Sequence, residues 1–211
     1  MRASSLLPLL LLLPTVALAD RGAFTVEAGG GVSVPFLYAP YASDSPAVRT
    51  TAASIWVGTR YALTNHLEFA ASGFYEPGVT VFHNAVTVVR DGAPFPGTLR
   101  HDVSRMGALA GAHLVWGLEW RFIAGLEAGW SARSYSAFQH IDTSQMPAVD
   151  YGLQLADFTA HNFVLVPAVG VEWAKGDHWS IALVPRLQVL LGKESTVALT
   201  VPLTLSWSWY L

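Results

Sequence analysis

The chain has 211 residues, of which 52% are hydrophobic and 13% charged, and it contains no cysteine. Twelve Lys+Arg against fifteen Asp+Glu give a formal charge of −3, so no basic surface exists for a phosphate backbone and nucleic acid is excluded as a partner. The lack of cysteine rules out disulfides, thiolate metal sites and a lipidated N-terminal Cys, and Gly, Pro, Ser or a charge recurs too often after residue 20 to leave the ~18 apolar residues of a spanning helix.

Arg2, the apolar run from Leu6 to Leu13 broken only by Pro8, and the small-residue triplet Ala17-Leu18-Ala19 read as a secretory signal cleaved before Asp20. Residues 1–19 are thus expected to be removed and 20–211 to form one domain. Segments at about 23–34, 53–63, 67–76, 103–116, 120–133 and 161–173 alternate apolar and polar positions. In the next segment Trp179, Ile181, Leu183, Pro185, Leu187, Val189 and Leu191 share one face, with Ser180, Ala182, Val184, Arg186 and Gln188 on the other. The last runs from Val197 through Leu199, Val201, Leu203, Leu205, Trp207 and Trp209 to Leu211, all at odd positions. A period of two over such lengths means strands with one apolar face, and Gly192-Lys193-Glu194 should close the last two into an antiparallel hairpin.

That makes eight strands whose connections alternate in length. Thr64-Asn65-His66, Gly117-Leu118-Glu119 and Ala174 to Asp177 are tight, whereas 35–52, 77–102 and 134–160 are long. The pattern predicts an all-β fold, an eight-stranded antiparallel up-and-down transmembrane β-barrel with short turns at one end and long loops at the other. Val79 to Phe82 and Ala85 to Val89 are too short to span and read as a hairpin projecting from the barrel, with two extra strands of a ten-stranded barrel as the alternative. Pro167, Pro185 and Pro202 fall inside strands of a barrel without edges, where bulges are expected to accommodate them.

Charge placement separates the two faces. Glu27, Glu68, Glu76, Glu127 and Glu172 share a parity with Arg60, Arg105, Arg121, Arg133 and Arg186, among Gly, Ser and Ala, while Lys175 and Lys193 sit in connections. Five acids against five bases suit a packed polar lumen, in which buried charges must pair; the alternative is a soluble, lipocalin-like barrel with the charges in water. Trp116 and Trp120 flank one tight turn, Trp173 and Trp179 another, and Trp207 and Trp209 close the chain at the same end, with Tyr61 beside the remaining turn. These seven are expected to form a membrane-interface girdle.

With this pattern the sequence resembles the small eight-stranded bacterial outer-membrane proteins of OmpA-, OmpX- or OmpW-like type. The terminal Leu203-x-Leu205-x-Trp207-x-Trp209-x-Leu211 looks like the signal read by the barrel-assembly machinery, although that family usually ends in Phe. The resemblance implies an integral protein of the outer membrane of a Gram-negative bacterium, in contact with outer-membrane lipid and lipopolysaccharide, and a monomer. Its OmpW-like branch implies passage of small apolar solutes, for which the residues offer no apolar lumen.

Catalytic and metal chemistry find little footing. His178-Trp179-Ser180 has the His-x-Ser spacing of lipid A deacylases, but it lies at the short-turn end on the lumen parity, away from outer-leaflet lipid. His140, Asp142, Asp157 and His161 could meet in a loop, yet no two histidines stand at i and i+2 of a strand. The glycines at 29–31 lack the Lys and helix of a phosphate loop. No cofactor, metal or enzymatic activity is expected. The expected function is a structural or adhesive surface role, with Phe82, Phe95, Tyr135, Phe138 and Tyr151 in the long loops available to an extracellular ligand. A solute passage and a lipid-modifying enzyme are the alternatives.

Overall fold

A computed structural model describes residues 21–37, 48–49, 51–142, 149–150, 155–176, 178–192 and 196–210. The expected signal segment, Tyr151, Lys193, Glu194 and Leu211 lie outside them. The strands are β1 (Ala23–Leu37), β2 (Val48–Arg49), β3 (Ala52–Ala62), β4 (Leu67–Arg90), β5 (Ala93–Gly117), β6 (Trp120–Asp142), β7 (Val149–Asp150), β8 (Phe158–Lys175), β9 (Trp179–Leu183), β10 (Arg186–Leu191) and β11 (Thr196–Tyr210). β9 and β10 act as one stave, and with β1, β3, β4, β5, β6, β8 and β11 they close an eight-membered antiparallel ring in which β11 pairs β1. β2 and β7 add two-residue pairs to β1 and β6 at the long-loop end.

The stagger of the ladder fixes the bore. From Phe24 the rungs run through Tyr61, Phe69, Ala112, Leu126 and Pro167, then through β10 and Leu199, and return to β1 at Val34, ten residues further on. Eight strands with this offset tilt by roughly 40° and leave a lumen that side chains can fill. Alternation then puts Val57, Phe69, Leu126, Val169, Ile181, Leu203 and Leu205 on the exposed outer wall and the polar parity inside. Gly117, with φ +117, closes the tight turn between β5 and β6 where a Cβ would lie 1.9 Å from the Trp120 carbonyl oxygen.

The strands run further than the alternation in the sequence indicates. β4 and β5, 24 and 25 residues long, continue beyond 76 and 103 to a two-residue turn whose Asp91 and Gly92 both have positive φ (51° and 80°), as a type I′ hairpin requires. β6 likewise carries strand through to Asp142, into the segment expected to be loop. Three neighbouring strands make the extension self-supporting, because their inner faces bury Val81, Val86, Leu99, Val103, Tyr135 and Phe138 as a separate apolar cluster. The register shifts by one residue between Glu76 and Val79 and between His83 and Val86 on β4, and at the β6 segment facing Arg100 to Asp102. Ala137 sits in that last bulge with φ +55.

The prolines are accommodated without bulges, contrary to expectation. Leu183 pairs Val171 and Leu203, and three residues later Arg186 pairs Ala168 and Thr200, so the register is the same on either side of Val184-Pro185. The strand pairing lapses there, with the Val169 N–H still donating to the Pro185 carbonyl at 3.2 Å. Pro167 and Pro202 keep their rungs to β6 and β1, opposite Leu126 and Gly31; on its other side Pro202 faces Val184 in the interruption, and Pro167 faces Leu187 just beyond it. The three missing N–H groups thereby cluster within a few residues of one another along β8, β9–β10 and β11.

Candidate functional site

The lumen is built in tiers that β4 counts off as it rises. Glu68 meets Arg60, Ser72 meets Glu127, and Glu76 meets Arg105. In the lowest tier Arg60 gathers three carboxylates, with Nη2 2.7 Å from Glu172, Nη1 3.0 Å from Glu68 and Nε 3.2 Å from Glu27. Ser180 Oγ donates a further hydrogen bond to Glu172. In the next tier Glu127, wholly buried, receives Arg186, the Ser72 hydroxyl at 2.8 Å and His113 Nε2 at 2.9 Å, while Arg186 also reaches Glu27 at 3.7 Å. Higher up, Arg105 grips Glu76 through Nε at 2.9 Å and through Nη2, and Arg133 donates to Thr196 Oγ1 at 2.8 Å and to Tyr135 Oη at 3.3 Å.

Arg121 does not join these tiers. It shares the inner parity but stands half-exposed at the short-turn mouth, its Nε donating to the Leu118 carbonyl at 3.3 Å. The strand ends there, so the barrel has no opposite wall to bury it. Two apolar layers that the sequence reading missed lie between and beside the charged tiers: Val115, Ile123, Ala168, Ala182 and Val184 in one, and Trp56, Phe74, Leu109, Val164, Val166 and Leu190 in the other. Trp56 stacks on Phe74 at 5.1 Å; Arg186 covers the indole at 4.5 Å and Arg105 covers the phenyl ring at 5.2 Å. This Arg-Trp-Phe-Arg pile crosses the bore and gives each guanidinium a π face. Its signal was present, since Trp56 shares the parity of Arg60 and Trp at the short-turn end does not.

The aromatic residues named from sequence point outward at the short-turn end. Tyr61, Trp116, Trp120, Trp173, Trp179 and Trp209 are exposed, and Trp207 is partly so. Trp120 stacks on Trp173 at 6.3 Å, and Trp207 meets Trp179 edge-on at 4.4 Å. A second level exists. Trp130 faces outward on β6, ten residues above Trp120, and stacks on His161 at 5.6 Å. At a rise of about 3.3 Å per residue and a tilt of roughly 40°, the two indoles are about 25 Å apart in height, the thickness of the apolar band of an outer-membrane barrel.

The remaining candidates separate in space. Ser180 is buried against Glu172, whereas His178 is exposed, with Nδ1 3.0 Å from the Ser208 carbonyl oxygen and its ring on Trp207 at 5.3 Å, so the two make no nucleophile-base pair. His140 and Asp142 are buried on the inner side of β6, while His161 and Asp157 are exposed, and among the described residues no group of three or more His, Asp or Glu is arranged to hold a metal ion. Of the loop aromatics, Tyr135 and Phe138 are buried in the inner cluster of the extension, and Phe82 stands exposed beneath the Arg100 guanidinium. The bulge at Ala137 turns Phe138 inward, which the sequence reading did not foresee.

A closed eight-stranded antiparallel barrel with a charge-paired lumen and an apolar outer wall is the architecture of the small bacterial outer-membrane proteins. Among solved structures, the chain is similar in fold to the outer membrane protein OprG from Pseudomonas aeruginosa (TM-score 0.56, 10% identity, 91% of this chain and 98% of that one). It is similar also to Neisserial surface protein A (0.54, 12%, 90% and 100%) and to Ail, the attachment invasion locus protein of Yersinia pestis (0.51, 12%, 90% and 100%). No protein-family model matches the chain, and no curated protein matches it in sequence.

Proposed function

We propose that the mature chain is an integral barrel of a bacterial outer membrane, exported by its N-terminal signal, with a sealed lumen and a structural or surface-interaction role at its long-loop end. The observation that carries this reading is the combination of a plugged bore and a rigid extension. Three tiers of ion pairs and two apolar layers fill the interior, and the void at the short-turn mouth, among Glu68, Arg121, Ser180 and Tyr210, measures about 20 Å³, room for one water. Above the membrane, β4, β5 and β6 form a three-stranded sheet with its own core, a scaffold on which an exposed face can meet a partner. Lipid and lipopolysaccharide surround the outer wall, Tyr61 and the six tryptophans sit at one interface, and Leu203, Leu205, Trp207, Trp209 and Leu211 form the segment offered to the assembly machinery. The protein works as a monomer, without cofactor and without catalysis.

A narrow passage for small apolar solutes is the second reading, favoured by one observation: the two apolar lumen layers, which the sequence alone did not reveal. Purified protein in planar bilayers, with mass analysis of lipid A from cells with and without it, separates the possibilities. Silence in both assays, with cell-surface binding that disappears on shortening the β4–β5 hairpin at Asp91-Gly92, is the expected result. Steady conductance would replace this reading with the passage, and a changed acyl count on lipid A would replace it with an enzyme.

A further inference from the structure

The extension beyond the barrel contains a feature that neither membrane anchoring nor a plugged lumen requires. His83 of β4 and His101 of β5 are both buried on its inner face, 1% exposed each, and their rings lie parallel (5° between planes) with centroids 5.2 Å apart. Phe138 and Tyr135 flank the His101 ring at 5.3 and 5.7 Å. Among the described residues neither nitrogen of His83, nor Nδ1 of His101, has a hydrogen-bond partner. Two imidazoles stacked in an apolar cluster are stable together only while both are neutral, because a proton on either is desolvated and a proton on both sets like charges face to face.

We propose that the His83–His101 stack is an acid-sensitive latch of the projecting sheet: neutral, it closes the inner faces of β4, β5 and β6 on one another, and protonated, it releases them and exposes Val81, Val86, Leu99, Val103 and Phe138 at the cell surface. The latch rests on the reading that this hairpin stands clear of the lipid. Among the described residues, none of the charged and titratable groups around it forms an ion pair with either ring, and Asp102 offsets the burial only in part. On β5, Asp102 points to the outer face, where it accepts a hydrogen bond from Thr80 at 2.7 Å, and Arg105 is held by Glu76 of β4. On β6, Arg133 and Tyr135 bond to each other, His140 Nε2 lies 3.3 Å from the Val86 carbonyl oxygen, and Asp142 is buried with a partner of its own. β8 contributes Phe158 and Ala160. Burial pushes both rings down, His101 to about 4, with His83 adding to its depression and Asp102 offsetting part of it. The folded hairpin therefore prefers the neutral rings: its stability is complete above the ordinary histidine value near 6.5 and falls away between there and about 4.

Amide hydrogen exchange of the full chain in lipid nanodiscs, at pH 7.5 and 5.0 and corrected for intrinsic chemistry, tests this. At pH 5.0 a ring held near 4 instead of 6.5 increases the opening equilibrium on the order of thirtyfold for His101 alone. Protection over Val79 to Val89 and Phe95 to Val103 should fall by that factor or more, with β1 and β11 unchanged. The variant His83→Phe/His101→Phe keeps stacked rings without a titratable nitrogen and should lose the response. Unchanged hairpin protection in the parent, or an equal loss in the variant, overturns the latch. Should the variant fail to fold, ring-proton NMR of the parent decides, since midpoints near 6.5 refute the latch and depressed midpoints support it. Loss of protection on β1 and β11 already at pH 7.5 would instead refute the barrel in lipid.

Discussion

Replacing Arg60 with Met removes the cation on which three buried carboxylates converge. At N–O distances of 2.7, 3.0 and 3.2 Å, each contact is worth about 5 kcal/mol gross at an effective dielectric constant near 20, and most of that offsets the cost of burying the charges. What is measured on truncation is the penalty of the partners left behind. Glu68 and Glu172 remain buried, Glu27 retains only Arg186 at 3.7 Å, and the three acids then face one another. The expected loss is about 3 to 5 kcal/mol, at the level known for breaking a buried pair. Urea unfolding in lipid vesicles, followed by tryptophan fluorescence, reads it directly. Arg121→Ala serves as the internal reference, because its guanidinium is half-exposed at the mouth and should cost less than about 1 kcal/mol. Adding Glu172→Gln to Arg60→Met should recover part of the loss, with a coupling of about 0.5 to 3 kcal/mol. A change within about 0.5 kcal/mol for Arg60→Met, or equal costs at Arg60 and Arg121, would show that these carboxylates are solvated and that the tiered lumen is wrong.

Ala137→Gly relieves a non-glycine residue at φ +55 and should stabilise the extension by about 0.5 kcal/mol, the difference between the left-handed strain of Ala and the added chain entropy of Gly; a lower midpoint in urea would contradict it. Gly117→Ala puts a methyl group 1.9 Å from the Trp120 carbonyl oxygen at φ +117 and should cost at least about 2 kcal/mol, visible as incomplete folding into vesicles. In single-tryptophan variants, lipids brominated near the headgroup should quench Trp120 and Trp130 strongly and Trp56 hardly at all; quenching of Trp56 would place it on the wrong wall.

The sequence was legible wherever one parity persists. β10 and β11 keep a single apolar face from end to end, and so do the charged positions that line the bore. It became opaque at the register shifts. On β4 the inner residues are Glu76, then Val81 and His83, then Val86, so the parity flips twice within ten positions, and a strand read by alternation stops at the first flip. β6 behaves alike, passing from Arg133 and Tyr135 to Phe138 and His140 across Ala137. β5 has no flip: Leu99, His101, Val103 and Arg105 continue the parity of Leu109 and His113, so the signal for the longer strand was present, and the reading that ended it at 103 overlooked it. The two stacked histidines were invisible for a different reason: they meet diagonally across β4 and β5, and only the pairings of Val81 with His101 and His83 with Leu99 bring the rings together. The placement of Arg121 failed because parity tells which wall a side chain faces and not how far it stands from the end of the tube.

The proline cluster has a mechanical consequence. A barrel of this kind is often pictured as weakest where its first and last strands meet, yet here β1 and β11 are knitted by an unbroken run from Ala23–Tyr210 to Pro35–Ala198. The compliant line lies elsewhere, between β8 and β11, where β9 gives way to β10 and Pro167, Pro185 and Pro202 supply no donors. Lateral tension from thinning or curvature of the surrounding bilayer would therefore concentrate there, and the wall would flex about the Val184-Pro185 gap while its closing joint stays shut.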